Sequence, residues 1–104
     1  MIEKVSGICR ALRSADNARA EQEIMSRYSK IPVLGIDDIG IEKHTEFVIG
    51  VIYEIIDYRY MNRPGGLIVT SNLSLSELAQ KLGDDRIPSR LAQMCKGRII
   101  SLLG

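Results

Sequence analysis

Residues 31–38, IPVLGIDD, form an apolar run that ends in two carboxylates, and residues 67–72, LIVTSN, form a second run that ends in polar side chains. Between the two runs, apolar residues recur every three or four positions, which predicts an amphipathic helix. Two parallel strands need a crossover of about a dozen residues or more, and this segment is long enough to supply it. The stretch therefore predicts two buried parallel strands joined by a helix.

The polar groups that follow the two runs are the first candidates for a functional site. In an open parallel sheet, ligands bind outside the carboxyl ends of the strands, where Asp37, Asp38 and Asn72 are expected to converge. A carboxylate after a buried strand can hold Mg²⁺, and the next carboxylate can polarise an attacking water. Asp37 is therefore a candidate metal ligand and Asp38 a candidate base. The alternatives are acids that cap the following helix and an ordinary turn asparagine at Asn72.

Length and composition are those of a single α/β domain. The chain has 104 residues, of which 45% are hydrophobic and 26% are charged. No apolar run approaches the roughly 20 residues that cross a bilayer, and Met1 is not followed by a leader-like segment, which favours a cytoplasmic protein with no membrane partner. Cys9 and Cys95 show no metal-binding spacing and are expected to be reduced core thiols, and His44 is expected to be a surface residue.

The charge distribution indicates a local anion site at the end of the chain. A net charge of +1 argues against binding through extensive phosphate contacts. Between residues 86 and 104 there is no acidic residue, and four basic ones occur: Arg86, Arg90, Lys96 and Arg98. This pattern predicts a site for an anion or an acidic partner, with a solvated basic face as the alternative.

Turn and capping signals divide the remainder of the chain. Residues 2–13 and a following stretch that ends near residue 29 have helical spacing. Ser74 and Glu77 form a capping-box signal for a helix that should stop at Gly83. The other predicted signals are a cap at Thr45, a turn over residues 62–66, a further helix with Pro88 in its first turn that ends at Gly97, and a last strand over residues 98–103.

Four blocks of sequence carry a family resemblance: LGIDDIG at residues 34–40, IDYRY at 56–60, IVTSNL at 68–73 and LGDDRIPSRL at 82–91. In this order they resemble the second half of the AAA+ core of bacterial replicative helicase loaders of the DnaC and DnaI type. The IstB-like transposition helper ATPases are close relatives of these loaders. The resemblance runs from about residue 2 to the end of the chain.

The resemblance implies a role for each candidate residue. Asp37 and Asp38 would be the Walker B pair, Asn72 the sensor of the γ-phosphate, and Arg90 the arginine finger that reaches the nucleotide of a neighbouring subunit. Arg86 would be a second candidate for the finger and for contact with the nucleotide, or it would tie the subunit interface together. The implied cofactors are ATP and Mg²⁺. The implied partners are a replicative helicase, single-stranded DNA, and a neighbouring AAA+ subunit or a second copy.

The sequence departs from the family in one respect, because it contains no G-x-x-x-x-G-K-[ST] phosphate loop. The expected fold is therefore a partial AAA+ domain over residues 1–104, a parallel sheet with helices on both faces that lacks the first strand. Its predicted parts are helices over residues 2–29, the Walker B strand, helix and sensor strand over 31–72, and the finger helices and last strand over 74–103. Little ATP hydrolysis is expected from this chain alone.

Two other interpretations remain open from the sequence. One is a non-enzymatic interaction or regulatory module that docks on an AAA+ partner and either supplies Arg90 in trans or blocks assembly. The other is a receiver-like domain, suggested by the acidic pair at one strand end and by Thr70 and Ser71 at another. That chemistry needs a phosphoacceptor aspartate at the end of a separate central strand and a lysine after a later strand, and neither is found. Loss of the first strand also predicts an open sheet edge, so that residues 98–103 pair in an unusual position or the chain dimerises. Arg59 and Arg63 are possible DNA contacts.

Overall fold

The computed structural model describes residues 1–37, residue 39 and residues 45–95. Its elements in chain order are β1 (Ile2–Lys4), α1 (Val5–Arg13), α2 (Ala18–Lys30), β2 (Val33–Asp37), α3 (Glu46–Asn62), β3 (Gly66–Val69), α4 (Leu75–Leu82) and α5 (Arg86–Cys95). The predictions for Asp38 and His44, the helix end at Gly97 and the strand over residues 98–103 lie outside the described residues. None of the helices in the described part is long and apolar enough to cross a membrane.

The three strands found in the described part of the chain form one parallel sheet in the order β1-β2-β3. The two strands predicted from the sequence are direct neighbours, with Leu34 opposite Leu67 and Ile36 opposite Val69. Within the described residues the fold class is thus α/β with a parallel sheet and five helices, as predicted. Since parallel strands end at the same edge, this register brings the polar residues after β2 and β3 together.

The two faces of the sheet differ sharply in burial. On one face, Leu34 and Ile36 are 0% and 1% exposed and belong to the core formed with the helices. On the other face, Val33 and Ile68 are 52% and 60% exposed. The prediction that both strands are buried is therefore correct only for the face that the described helices cover.

The first residues of the chain form a strand, so the prediction of a helix from residue 2 is wrong for residues 2–4. Ile2 pairs with Gly35 in parallel register, and the side chain of Ile2 is 80% exposed, so it does not belong to the apolar stripe of the helix. The helix begins at Val5, and the predicted stripe is buried from there through Ile8, Cys9 and Leu12. Backbone pairing with β2 explains the difference, because the main chain of β1 makes ladder bonds that a helix would forgo.

Most of the predicted helix boundaries are confirmed. The Thr45 hydroxyl accepts a hydrogen bond from the Val48 N–H at the start of α3. Ser74 and Glu77 form the capping box of α4, and Gly83 ends that helix with a φ of 68°. Pro88 lies in the first turn of α5, where its missing N–H costs no helical hydrogen bond.

Candidate functional site

The candidate site lies where β2 and β3 end, because the backbone continues to pair there beyond the strands. The Thr70 N–H donates to the Ile36 carbonyl over 3.0 Å, and the Ile39 N–H donates to the Thr70 carbonyl over 2.9 Å. The Ser71 hydroxyl also donates to the Ile39 carbonyl over 2.8 Å. These bonds hold the chain on both sides of Asp37 and so fix the position of its carboxylate.

Thr70 is the residue that the structure places directly against Asp37. The Thr70 hydroxyl donates a hydrogen bond of 2.5 Å to Oδ1 of Asp37, which is half-buried. Thr70 was not among the candidate site residues. The signal that identifies it is the strand register, because the pairing of Ile36 with Val69 makes Asp37 and Thr70 the next pair at the edge.

Asn72 lies at the same edge of the sheet, on the turn that follows β3. It is exposed, and the turn is held by the Leu73 N–H, which donates to the Ser71 hydroxyl over 3.1 Å. The structure therefore joins Asp37 and Thr70 by a direct hydrogen bond and leaves Asn72 accessible two residues farther along the chain.

Arg90 is held on the surface of α3. Its Nη2 lies 3.1 Å from Oδ1 of Asp57 and donates to the Tyr53 hydroxyl over 3.3 Å, and its Nη1 donates to Oε1 of Gln93 over 3.0 Å. The guanidinium also lies 4.5 Å from the centre of the Tyr60 ring, within the range of cation–π attraction. The hydrogen bond to Tyr53 and the nearby Asp57 charge raise the pKa of Arg90 above its usual value.

Arg86 is more exposed than Arg90 and contacts the same tyrosine. Its Nε donates to Oδ2 of Asp84 over 2.9 Å, and its guanidinium lies 5.2 Å from the centre of the Tyr53 ring. The Arg86 backbone N–H also donates to Asp84, and this bond holds the pKa of the Asp84 carboxyl below its usual value. Arg86 and Arg90 therefore form one basic cluster on α5, at the side of α3.

Arg59 is a structural residue, and the suggestion that it contacts DNA is wrong. The side chain is 2% exposed. Its two terminal nitrogens donate to five main-chain carbonyl oxygens, those of Tyr28, Ser29, Ile31, Pro32 and Gly66. These carbonyls belong to the end of α2, the two residues between α2 and β2, and the first residue of β3, so the Arg59 side chain joins these three segments. Burial lowers the pKa of this guanidinium.

The residues at the strand ends suit a hard cation. Mg²⁺ takes oxygen ligands and is usually bound by one or two carboxylates, with water and substrate phosphates completing its shell. Asp37 offers such a carboxylate, and the hydrogen bond from Thr70 orients it. Within residues 1–37, 39 and 45–95, no group of three or more His, Cys, Asp or Glu side chains could hold a metal ion by itself. Asp37 is thus the carboxylate of the described edge that could hold Mg²⁺ together with other oxygen ligands.

Comparison with known proteins identifies the family. Residues 2–97 match the family described as IstB-like ATP binding protein. The chain belongs to this IstB-like family. It is 31% identical over 94 residues to the protein YqaM of Bacillus subtilis (strain 168), a match that covers 86% of this chain. It is 27% identical over 94 residues to the replicative helicase loader DnaC of Escherichia coli (strain K12), covering 88% of this chain. DnaC of Shigella flexneri shows the same 27% identity.

The IstB-like chain is much shorter than the relatives it matches. The match spans 28% of YqaM and 37% of E. coli DnaC. The two proteins therefore contain long segments that have no counterpart in these 104 residues. Membership of the IstB-like family supports the predicted ATP-binding class.

Proposed function

We propose that this chain is the C-terminal part of the AAA+ core of a helicase-loader-type ATPase, and that it acts within a longer protein and its oligomer. The observation that carries the proposal is the Asp37–Thr70 hydrogen bond at the carboxyl ends of two adjacent parallel strands. A carboxylate oriented in this place is suited to a metal that accompanies a nucleotide phosphate. The similarity to the helicase loader DnaC and the IstB-like match supply the class of protein.

Each candidate residue has a distinct task in this proposal. Asp37 holds Mg²⁺, Asp38 orients the attacking water, and Asn72 binds the γ-phosphate at the same edge. Arg90 reaches the nucleotide of a neighbouring subunit, and Arg86 assists it. Bound Mg²⁺ would neutralise charge on the phosphates of ATP during their hydrolysis.

The chain alone is expected to bind ATP weakly. Phosphate loops hold nucleotides through backbone N–H groups and a lysine, and the sequence has no such motif. The Asp37 carboxylate repels a phosphate in the absence of a metal, and the Thr70 hydroxyl donates its hydrogen to that carboxylate. Hydrolysis therefore requires the phosphate loop of the longer protein.

The partners and location that we propose follow from the loader class. DnaC is named a replicative helicase loader, and we propose that the longer protein containing this chain binds a replicative helicase and single-stranded DNA in the cytoplasm. Self-association places Arg90 of one subunit beside the nucleotide of the next. A charge of +1 on this chain indicates that other parts of the protein provide most of the DNA contacts.

A titration of the purified chain with a fluorescent ATP analogue and Mg²⁺ tests the proposal. We expect a Kd weaker than about 1 mM, which corresponds to about 4 kcal/mol. Asp37→Asn should abolish any Mg²⁺-dependent part of the binding, whereas Glu54→Gln on the exposed surface of α3 should not. Micromolar affinity would contradict the proposal, because it would require a nucleotide site that uses other residues.

A mixing experiment separates the loader fragment from a pure interaction module. The chain is added to a full-length family member whose own finger arginine is replaced by alanine. Restored hydrolysis that is lost with Arg90→Ala would show that this chain donates the finger in trans. This result, or inhibition of the partner's hydrolysis, would favour the interaction module, whereas no effect on hydrolysis would favour a fragment that acts only within its own longer protein.

A further inference from the structure

Neighbouring side chains occupy most of the N–H donors of the Arg90 guanidinium. A guanidinium has five N–H donors. Nη2 contacts both Asp57 and the Tyr53 hydroxyl, and Nη1 contacts Gln93. Nε is buried and has no hydrogen-bond partner within the described part of the chain. A phosphate bound through two parallel N–H groups would need donors that Asp57 and Tyr53 already occupy.

The groups around Arg90 divide into those that an anion can replace and those that can stay in place. Tyr53, Asp57 and Tyr60 lie on successive turns of α3 and therefore share one side of the helix. The Tyr60 ring lies against the face of the guanidinium and leaves its edge, which carries the N–H groups, to other partners. Asp57 is the one of the three that carries a negative charge, as a phosphate does.

The Arg90–Asp57 pair is open to solvent. The two side chains are 25% and 37% exposed, so an anion can approach without unfolding of the helix pair. Arg86, with a side chain that is 51% exposed, lies against the same Tyr53 ring and adds a second positive charge nearby. Partly exposed ion pairs contribute little free energy, so a multiply charged anion can compete for Arg90.

We infer that Asp57 is a positioning residue that holds Arg90 as an intramolecular counter-anion, and that a polyphosphate binds to Arg90 by replacing Asp57. The Arg90 guanidinium remains stacked on the Tyr60 ring, while its N–H groups donate to the polyphosphate instead of to Asp57. The inference rests on the proposed function only where it assigns that polyphosphate to the nucleotide of a neighbouring subunit. The protein groups that take part in the exchange, Arg90, Asp57 and Tyr60, are in contact in the structure.

Inorganic tripolyphosphate is a probe for the exchange that does not require a phosphate loop. The complete 104-residue chain is titrated at constant ionic strength, and binding is followed by the NMR shift of the Arg90 side-chain Nε–H. We expect Asp57→Asn to tighten binding by about twofold to fivefold, the range that loss of an exposed ion pair allows. Tyr53→Phe removes one acceptor but keeps the ring, and it should give a smaller gain in the same direction.

Two control variants separate the exchange from a change in net charge. Glu54→Gln removes the same charge from an exposed site on α3 and should leave tripolyphosphate affinity within the error of wild type. Arg90→Gln should abolish the gain when it is combined with Asp57→Asn, and because this variant lacks the Arg90 Nε–H, its tripolyphosphate affinity is measured by calorimetry alongside that of the wild type. An equal gain from Glu54→Gln, or no gain from either Asp57→Asn or Tyr53→Phe, would overturn the inference.

The exchange and the finger assignment fail in different ways. Suppose that Asp57→Asn tightens tripolyphosphate binding, but Arg90→Ala does not alter ATP hydrolysis by the AAA+ partner in the mixing experiment. The exchange of Asp57 for a polyphosphate is then supported, and the assignment of Arg90 as the arginine finger is wrong. In the opposite case, Arg90→Ala abolishes the restored hydrolysis but Asp57→Asn leaves the tripolyphosphate affinity unchanged. Arg90 is then supported as the arginine finger, and the proposed exchange is overturned. Thermal unfolding of each variant confirms that the compared chains are folded.

Discussion

The Thr70 hydroxyl donates a 2.5 Å hydrogen bond to the Asp37 carboxylate, so the ends of β2 and β3 are joined by side chains as well as by backbone. Hydrogen bonds to charged groups contribute more to stability than neutral ones. Thr70→Val removes the donor and keeps the shape of the side chain. We expect the free energy of unfolding to fall by about 1–2 kcal/mol, measured by urea denaturation.

A double-mutant cycle with Asp37→Asn isolates this bond. In the Asp37→Asn background the acceptor is no longer charged, so Thr70→Val should cost clearly less than it does in the wild-type chain. Thr70→Ser keeps the hydroxyl and is the matched control. Equal costs of Thr70→Val in both backgrounds would show that the hydrogen bond does not couple the two residues.

Arg59 should be among the most sensitive positions of the chain. Arg59→Met keeps much of the side-chain volume but leaves five carbonyl oxygens without these donors. We expect a loss of about 2–4 kcal/mol in the free energy of unfolding, because buried polar groups that lose their partners are costly. Arg59→Lys should recover only part of the lost free energy of unfolding, since a single ammonium group cannot donate to all five of these carbonyl oxygens.

A second arginine provides the control for this substitution. The Arg19 side chain is 90% exposed and forms a surface pair with Glu23. Arg19→Met should change the free energy of unfolding by less than about 0.5 kcal/mol. Similar losses at both positions would mean that the carbonyl contacts of Arg59 contribute little.

The two faces of the sheet should respond differently to substitution. Leu34 is 0% exposed, and Leu34→Ala should cost about 2–5 kcal/mol through lost burial and the cavity that remains. Ile68 is 60% exposed on the opposite face, and Ile68→Thr retains a β-branched side chain there. Its effect should stay within about 0.5 kcal/mol by urea denaturation. A large loss at Ile68 would show that this face is covered in solution.

The sequence predicted the parts of the fold that depend on local pattern. The neighbouring parallel strands, the caps at Thr45 and Ser74 and the end of α4 at Gly83 follow from periodicity and side-chain chemistry within a few residues. It did not predict β1, because the apolar spacing of residues 2–13 includes Ile2, and only pairing with Gly35 of β2 determines that the first residues are extended.

The site was predictable only in part for a related physical reason. Asp37 and Asn72 are marked by their places after apolar runs, whereas Thr70 becomes a site residue through the register between β2 and β3. Arg59 and Arg90 are similar in sequence terms, since each is a basic residue within a predicted helix. Their roles differ because Arg59 is enclosed by backbone carbonyls and Arg90 lies at a half-exposed surface with Asp57. Long-range contacts therefore separate the structural arginine from the candidate functional one.

The residues that end α3 and α4 both adopt left-handed backbone conformations, and substitutions there should measure the free-energy cost of this conformation. Arg63 ends α3 with φ 48° and ψ 56°, and Gly83 ends α4 with a φ of 68°. Glycine adopts this conformation without a steric penalty, whereas other residues pay about 1 kcal/mol. Arg63→Gly should therefore raise the free energy of unfolding by about 0.5–1 kcal/mol, and Gly83→Ala should lower it by about 1 kcal/mol. Shifts of the same sign in urea denaturation would contradict this explanation.

Glu77 gives a prediction for the pH dependence of α4. The Ser74 N–H donates to Oε1 of Glu77 over 3.0 Å, and this bond, followed by the contact with the Ser74 hydroxyl, lowers the pKa of the Glu77 carboxyl. A group whose pKa is lower in the folded state stabilises the fold above its ordinary pKa, about 4.3 for glutamate. The contribution is lost as the pH falls through the lowered value, so we expect α4 to weaken below about pH 4. A ¹³C NMR titration of the Glu77 carboxyl measures the pKa directly.

Ser74→Gly separates the two causes of the lowered pKa of Glu77. Glycine is tolerated at a helix N-cap and keeps the backbone N–H, which is the larger cause, but it removes the hydroxyl. The pKa of Glu77 should therefore rise only part of the way towards its ordinary value in this variant. Glu77→Gln keeps an acceptor oxygen but has no charge to titrate, so it should remove this contribution to the pH dependence of unfolding. A Glu77 pKa at the ordinary value in the wild-type chain would show that the capping box is not formed in solution.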